Sequence, residues 1–413
     1  MKETAMLAQK STYAQRQLSF LANRSSKNIT DSHTEQLRNE IILAKAIKTA
    51  QLFDCGQTDD AYQKACEVLA LTEPNGAPLH RLTRVLVSGI QRRCYSQTEF
   101  LGNLYSDRSS PIAMIKAYDL LAKSTPFIKF AYNACNLAIV AKASNTNRLH
   151  IIDIGIGSGN QWSELFSILQ GTSFFPKKIH ITGIDIPGTE RGLEAVRERL
   201  SKEARLVGID FSFTAIAAKA EEMSFADIGV QWSEFLVVNA VLALHYTPAG
   251  DAIQNAAHSR LALLKQIKSL NPQLVLMVEP DANHNHAVFD ERCHEALQHY
   301  IHIFNAFEYL FPRHLRERTI LENEFFGKEI INILTASGSD RVERHERKEI
   351  WAKHMQDAGF TQAERIFERT SRTLKNIVPT AEPFQISTNR QGISLSFNNA
   401  SLLAASCWRP ANS

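Results

Sequence analysis

The segment 149–159 constrains the fold of this chain more than any other part of its 413 residues. It reads Leu-His-Ile-Ile-Asp-Ile-Gly-Ile-Gly-Ser-Gly, a short apolar run with one acidic residue, followed by a turn containing three glycines. Such a run predicts a buried strand that ends in a tight turn. A helix is expected to begin near Asn160, and its first amides can donate to a ligand oxygen.

Short aliphatic runs alternate with amphipathic stretches from residue 145 onwards. Strands are predicted at 149–154, 178–185, 210–216, 235–239 and 273–279, with helices at 161–169, 188–204 and 252–270. Two later strands are predicted at 329–335 and 393–406. Alternation at this spacing is typical of a mostly parallel, doubly wound sheet. The predicted fold class is therefore α/β, Rossmann-type, with an α-helical cap.

The domain organisation follows from the change of pattern near residue 145. Residues 1–35 are polar and predict a loosely attached tail, whereas 36–145 show helical periodicity and predict an N-terminal cap. Residues 146–413 form the predicted core, and a helical insertion at about 286–325 adds to the cap.

The glycine turn leaves two classes of cofactor open. Dinucleotide folds prefer Gly-x-Gly-x-x-Gly, but here Gly155, Gly157 and Gly159 follow Gly-x-Gly-x-Gly spacing. A buried charge is costly unless paired, so Asp153 suggests a specific role near the turn. The stretch resembles class I methyltransferases, in which that position often orients the turn around the methionine part of S-adenosylmethionine. We therefore predict this cofactor.

Further cofactor contacts are expected at the ends of the next strands. Asp185 ends the second strand, where a carboxylate can accept both ribose hydroxyls, although it can also cap the following helix. Ala220 and Glu221 are placed near the adenine, and capping of a short helix is the alternative for Glu221. Asn239, which ends the fourth strand, is assigned to positioning the ligand.

Charge and apolar patterning limit the partners and the compartment. The chain has 46 basic and 43 acidic residues, a formal net charge of +3, which does not favour a nucleic-acid partner. It shows no signal-peptide pattern and no long apolar segment, so neither secretion nor a membrane is expected. Six scattered cysteines fit a reducing cytoplasm. A homodimer stays open.

Several ordered motifs resemble the GRAS domain, known from plant transcriptional regulators and also found in bacteria. Segment 149–153 is similar to the Val-His-Ile-Ile-Asp signature of that family. Other stretches with the family's pattern are Phe130-Ala131-Tyr132 with Asn136, then 237–245, 279–285, 341–346, 351, 358–360 and 405–409. The resemblance covers roughly residues 36–410. The chain departs from it at Tyr132 and Leu137, where the family has His and Gln.

The resemblance implies a bacterial-type member, because plant members usually lack an intact glycine turn and carry a long regulatory N-terminal extension. Bacterial members are thought to be methyltransferases acting on small molecules. The expected function is thus methyl transfer, O- or N-linked, to a small and largely apolar molecule under the cap, with S-adenosylhomocysteine as product. The alternative is a non-catalytic ligand-binding or protein-interaction scaffold, as in plants.

Candidate catalytic residues lie at or after the strand ends. His284 is the preferred general base, since imidazole titrates near pH 6.5. Asp281 is expected to orient it, and His245 is the second choice; a loop-stabilising hydrogen bond is the alternative for His284. Residues assigned to the substrate are Phe130, Asn136, Glu279, Asn283 and Arg341. No metal site is predicted, because the histidines between 284 and 302 do not have structural zinc spacing.

Overall fold

A computed structural model describes residues 29–95, 111–172, 176–230, 235–249, 255–311, 316–363, 365–378 and 380–411. The chain divides into two compact units. The helical unit comprises residues 1–120 and 286–341, and the sheet unit comprises residues 121–285 and 342–413. Most of the predicted tail, residues 1–28, lies outside the described residues. No described helix has the length and apolar character needed to cross a bilayer.

The helical unit is built from two separate stretches of chain. Its helices are α1 (Ile29–Asp54), α2 (Thr58–Leu71), α3 (Pro78–Tyr95), α4 (Pro111–Ser124, which runs into the sheet unit), α9 (Phe289–Leu310), α10 (Arg316–Ile320) and α11 (Phe326–Thr335). Proline opens α3 and α4, since its fixed φ suits the first helical turn. A π-helical turn, Leu321–Phe325, joins α10 to α11.

The strand predicted at 329–335 is wrong, because these residues belong to helix α11. A short apolar run does not distinguish a buried helix from a buried strand. Residues 326–334 of α11 are buried on every side, including Lys328 and Glu329. Lys328, Glu329 and Asn332 nevertheless follow helical spacing, so the sequence did carry a helical pattern that the strand prediction overlooked.

One ion-pair cluster lies inside the helical unit. Arg81, 4% exposed, donates through Nε to both carboxylate oxygens of Glu322 at 3.1 and 2.9 Å. The same guanidinium donates to the Gly76 carbonyl at 2.6 Å and to Glu308 at 2.9 Å. The cluster therefore links α3, α9 and the π-helical turn.

The described strands of the sheet unit form one sheet of nine. They are β1 (Arg148–Ile154), β2 (Lys178–Asp185), β3 (Asp210–Ala217), β4 (Phe235–Val241), β5 (Leu274–Pro280), β6 (Phe360–Gln362), β7 (Phe384–Asn389), β8 (Gly392–Phe397) and β9 (Ala400–Pro410). Their order is β3-β2-β1-β4-β5-β9-β8-β7, and β6 also pairs with β9. Strands β1 to β5 are parallel, whereas β9 runs antiparallel to β5.

Burial explains the arrangement of the parallel strands. From Leu149 onwards β1 is buried throughout, as expected for a central strand covered on both faces. Helices α5 (Pro126–Ala143), α6 (Asn160–Gln170), α7 (Glu190–Leu206), α8 (Arg260–Ser269), α12 (Lys348–Asp357) and α13 (Ile366–Ile377) also belong to this unit. The predicted strand–helix alternation is therefore present in a mixed α/β fold with one large sheet.

The single strand predicted at 393–406 is instead two strands, β8 and β9, joined by a tight turn. Asn398 and Asn399 have φ values of 49° and 65°, the left-handed conformation that a two-residue hairpin turn requires and that Asn tolerates. Strand β7, which the sequence did not predict, extends this antiparallel half.

The unit boundaries differ from those predicted. Helix α5 was placed in the N-terminal cap, yet it groups with the sheet unit. Residues 326–341, predicted as core, group with the helices. Helix α5 is buried over most of its length, from Phe127 to Ile139, because an apolar helix of this kind must cover the face of a sheet.

Candidate functional site

The glycine turn lies at the carboxyl end of β1, where ligands bind in open α/β sheets. Gly155, Gly157 and Gly159 have φ values of 78°, 52° and 65°, a left-handed region that glycine adopts most readily. A Cβ on Gly155 would lie 2.8 Å from Ala243 Cβ, and one on Gly159 would lie 2.7 Å from Val196 Cγ1. A Cβ on Gly157 would meet nothing within 4 Å. The middle glycine is therefore the open side of the turn.

Asp185 lies beside this open side. The Gly157 amide donates to its Oδ2 at 3.0 Å, and the Ile186 amide donates to its Oδ1 at 2.8 Å. Burial raises the pKa of Asp185, and these two hydrogen bonds partly offset the effect. The structure thus brings Asp185 and the glycine turn together, and ribose binding by this carboxylate stays a prediction.

Asp153 is the end of a buried polar network rather than a direct partner of the glycine amides. The Trp162 indole donates to its Oδ2 and the Asn239 amide to its Oδ1, both at 2.7 Å. Burial raises the pKa of Asp153 to about 7, although these two hydrogen bonds act to lower it. Since Trp162 stands on the helix after the turn, Asp153 fixes the turn through that helix.

The network continues from Asn239 to Gln161 and Asn136. The side-chain amides of Asn239 and Gln161 lie 3.2 Å apart, and Asn136 donates to the Gln161 carbonyl at 3.0 Å. Asn136 and Asn239 are 0% exposed. Their side chains hold β1, β4, α5 and α6 together in this structure, while their predicted ligand contacts stay predictions.

Ala220 and Glu221 lie in a short 3₁₀ helix after β3. Ala220 is buried and Glu221 is half-buried. Burial raises the pKa of Glu221, and a hydrogen bond from its own backbone amide lowers it. The N-cap residue of this 3₁₀ helix is Lys219, which makes no side-chain cap hydrogen bond. Capping by Glu221 and its contact with adenine both stay predictions.

The residues predicted to catalyse are engaged with protein groups. His284 is 0% exposed, and its Nδ1 lies 2.8 Å from His345 Nδ1. Asp281 accepts from the amide and the ammonium of Lys348 at 3.1 and 2.9 Å. Burial alone would raise the pKa of Asp281, but its hydrogen bonds outweigh burial and lower the pKa. Asp281 therefore binds Lys348 instead of orienting His284.

His245 belongs to a buried cluster that the sequence did not reveal. Its Nδ1 donates to Glu279 Oε2 at 2.5 Å, and its Nε2 lies 3.5 Å from Glu343 Oε2. His345 Nε2 lies 3.3 Å from the same Glu343 oxygen. Burial raises the pKa of Glu343 to about 7 and lowers that of His345 well below its ordinary value.

The signal available in the sequence for this cluster was an acidic residue and an imidazole two positions apart, Glu343 and His345, within the family-like segment 341–346. Their partners come from the loop after β4 and from the end of β5. Only the sheet topology brings these three segments to one place.

Most residues assigned to the substrate do not border open space in the protein as described. Phe130 and Asn136 are 0% exposed, and Glu279 and Arg341 are each 2% exposed; Asn283 is half-buried. The cavity that Glu279 lines has a volume of about 10 Å³. Such a volume holds one water molecule at most, so this cavity does not accommodate an organic substrate.

Fold and site together define the class: a mixed α/β protein with a glycine turn and a strand-end carboxylate at the carboxyl edge of its sheet. The GRAS domain family model matches residues 43–409. The chain belongs to the GRAS family, and the resemblance drawn from its motifs is confirmed.

The relatives and a solved structure agree with this assignment. Scarecrow-like protein 5 of Arabidopsis thaliana is 28% identical over 375 residues, which is 89% of this chain and 62% of the relative. Scarecrow-like transcription factor PAT1 of Arabidopsis thaliana is 29% identical over 342 residues, 81% of this chain and 69% of the relative. The crystal structure of SCL7 in Oryza sativa matches with a TM-score of 0.73 and 26% identity, over 89% of this chain and 99% of that one.

These comparisons overturn the predicted activity. The relatives are plant GRAS proteins, and one is by name a transcription factor, so the expected bacterial-type member, the O- or N-methyltransferase and the small-molecule methyl acceptor are all wrong. The expectation of a small-molecule substrate and of no nucleic-acid partner is wrong for the same reason, whereas binding of S-adenosylmethionine stays a prediction. The structural counterpart is that His284, Asp281 and His245 are buried and hydrogen-bonded to protein groups. The cytoplasmic location stays a prediction.

Proposed function

We propose that this chain is a non-catalytic GRAS-type regulator whose sheet unit binds a nucleoside-containing ligand at the glycine turn. The supporting observation is that, within the sheet unit, the glycine turn is open whereas the residues expected to catalyse are occupied. Gly157 and Asp185 keep an open turn beside a carboxylate, whereas the residues expected to catalyse are held in protein hydrogen bonds. In this proposal the bound ligand stabilises the sheet unit or controls the regulatory activity of the chain, and the ligand itself undergoes no reaction.

The order of the parallel strands supports a Rossmann-type site. In the order β3-β2-β1-β4-β5, the strands that directly follow β1 in sequence, β2 and β3, are added on one side of it, and β4 and β5 are added on the other side. The switch point therefore lies between β1 and β4, and ligands of open α/β sheets bind at such a point. The antiparallel β9 next to β5 completes an arrangement similar to class I methyltransferases. S-adenosylmethionine and S-adenosylhomocysteine are therefore the first ligands to test, for binding alone.

Isothermal titration of the purified chain with both ligands tests the binding part. Asp185→Asn should weaken binding about 10- to 100-fold, because hydrogen bonds to a charged group contribute about 1.5–3 kcal/mol. Asp227→Asn, an exposed acidic position in the same unit, should bind like the wild type. Absence of heat with either ligand at millimolar concentration would refute the nucleoside site.

A matched pair of glycine variants separates ligand blocking from backbone strain. Gly157 and Gly208 both have positive φ, 52° and 73°, and a Cβ added at either position would meet no atom within 4 Å. Gly157→Arg should abolish binding, since the side chain fills the open side of the turn, and Gly208→Arg should not. Equal loss of binding in both variants would show that strain, not blocking, is responsible.

The regulatory part is tested independently of the ligand. Fused to a heterologous DNA-binding module, the chain should change transcription of a reporter, and release of methylated products should not accompany that change. Gly157→Arg in the same fusion shows whether regulation depends on the nucleoside site. An inert fusion that is well expressed would contradict the regulator assignment.

A further inference from the structure

We propose that His245, Glu343 and His345 bind one divalent transition-metal ion, with zinc the best match. Each residue offers one ligand atom, and the three atoms lie within 4.8 Å of one another. All three residues belong to the sheet unit, and their exposures are 3%, 0% and 1%. This inference goes beyond the proposed function, because it concerns other residues and another ligand.

The distances fit a shared ion. Zinc binds imidazole nitrogen and carboxylate oxygen at about 2.0–2.2 Å in tetrahedral geometry, which places neighbouring ligand atoms about 3.3–3.5 Å apart. Glu343 Oε2 lies 3.5 Å from His245 Nε2 and 3.3 Å from His345 Nε2. A direct N–H···O hydrogen bond is usually about 2.7–3.2 Å long. The separations therefore match metal ligands better than they match direct hydrogen bonds.

The first histidine is oriented as a metal ligand requires. His245 donates its Nδ1 proton to Glu279 Oε2 at 2.5 Å, and the Leu244 amide holds Glu279 Oε1 at 2.8 Å. The lone pair of a neutral imidazole is then on Nε2, which faces Glu343. A carboxylate behind the ligand histidine is the usual support in zinc sites.

The second histidine has an equivalent support. His345 Nδ1 lies 2.8 Å from His284 Nδ1, and with the proton on His345 its Nε2 is left as the ligand atom. The His284 amide donates to the His345 carbonyl at 2.9 Å, which fixes the two segments. His284, predicted as a base, would thus position a ligand.

Two buried guanidinium groups lie near the cluster. Arg260 donates to Glu346, and its guanidinium stacks 4.3 Å above the Trp351 ring, whereas Arg344, also buried, acts electrostatically on Glu343. The carboxylates of Glu279 and Glu343 are the negative charges that a divalent ion at this place would meet. Two imidazoles and one carboxylate leave a fourth position, as in open zinc sites.

The sequence predicted no metal site, because the histidines at 284–302 lie along one stretch whose spacing does not fit zinc. The ligands proposed here come from positions 245, 343 and 345, which local spacing does not connect.

Metal binding is measured on the full chain, purified without a polyhistidine tag and stripped with a chelator. Cobalt should give the visible absorption of a four-coordinate ion at one equivalent, and zinc should compete for it and raise Tm. His345→Gln should weaken zinc binding at least about 100-fold. His354→Gln, a half-buried histidine paired with Glu346, should bind zinc like the wild type.

Two results would overturn the site. One is a wild-type chain that gives neither the cobalt absorption nor stabilisation by zinc; the other is a folded His345→Gln variant with wild-type affinity. If His345→Gln does not fold by circular dichroism, Glu279→Gln replaces it and should weaken zinc about 10- to 100-fold. Nucleoside titration of the metal-free chain keeps this test separate from the proposed function.

Discussion

Replacing Asp153 with asparagine should change how the stability of the sheet unit depends on pH. Burial raises the pKa of Asp153 to about 7, compared with an ordinary value of 3.8. The folded protein therefore binds more protons than the unfolded chain between about pH 4 and pH 7. By linkage, the contribution of Asp153 to the free energy of unfolding falls as pH rises through that window and is constant above it.

The magnitude follows from the two pKa values. Between pH 5 and pH 8 the Asp153 contribution should fall by about 2–3 kcal/mol, taking 1.36 kcal/mol for each pKa unit. Asp153→Asn removes this slope. The variant also loses one hydrogen bond, because an amide nitrogen faces a donor from Trp162 or Asn239, and that loss is independent of pH.

The assay is urea unfolding at several pH values, followed by tryptophan fluorescence. Trp162, Trp351 and Trp408 are buried in the sheet unit, so their emission follows its unfolding. The difference in stability, wild type minus variant, should become more negative as pH rises. Asp210→Asn, exposed at the start of β3, is the control and should keep the wild-type slope. Parallel wild-type and Asp153→Asn curves would refute the raised pKa.

Two further changes test the packing of each unit. Glu322→Gln should destabilise the helical unit by about 3 kcal/mol, because it leaves buried Arg81 with a weaker partner. Urea unfolding followed by the circular dichroism of the helices measures this loss. A change in the free energy of unfolding below about 1 kcal/mol would contradict the prediction. Gly392→Ala should lower Tm by several degrees, since its Cβ would lie 2.0 Å from the Ala405 carbonyl oxygen. Gly208→Ala, which also has positive φ but open space, should lower Tm less, and equal effects would show that backbone strain alone acts at Gly392.

The parallel half of the sheet was predictable from sequence. Strand β2 has the predicted bounds, and β1, β3, β4 and β5 differ from theirs by one or two residues, because buried central strands are short aliphatic runs between turn residues. The antiparallel half of the sheet was harder to predict from the sequence. The turn at Asn398 and Asn399 lies inside an otherwise continuous apolar pattern, so two strands looked like one.

The candidate site was predictable only as a set of positions. The end of β2 correctly indicated that Asp185 lies beside the glycine turn, whereas Asn239 lies two residues before the end of β4 and contacts Asp153. Side-chain partners were not predictable, because they come from distant segments. Asp281 pairs with Lys348 and His284 with His345, separations of 67 and 61 residues, and no local pattern encodes such pairs.

The position of β9 also determines when the sheet can form during synthesis. Strand β9 lies between β5 and β8 and also pairs with β6, so three strands depend on it for their place. A ribosome must therefore deliver residues 400–410 before the antiparallel half can join β1 to β5. Until then β5 presents an unpaired edge to other nascent chains, the kind of exposure that chaperones recognise.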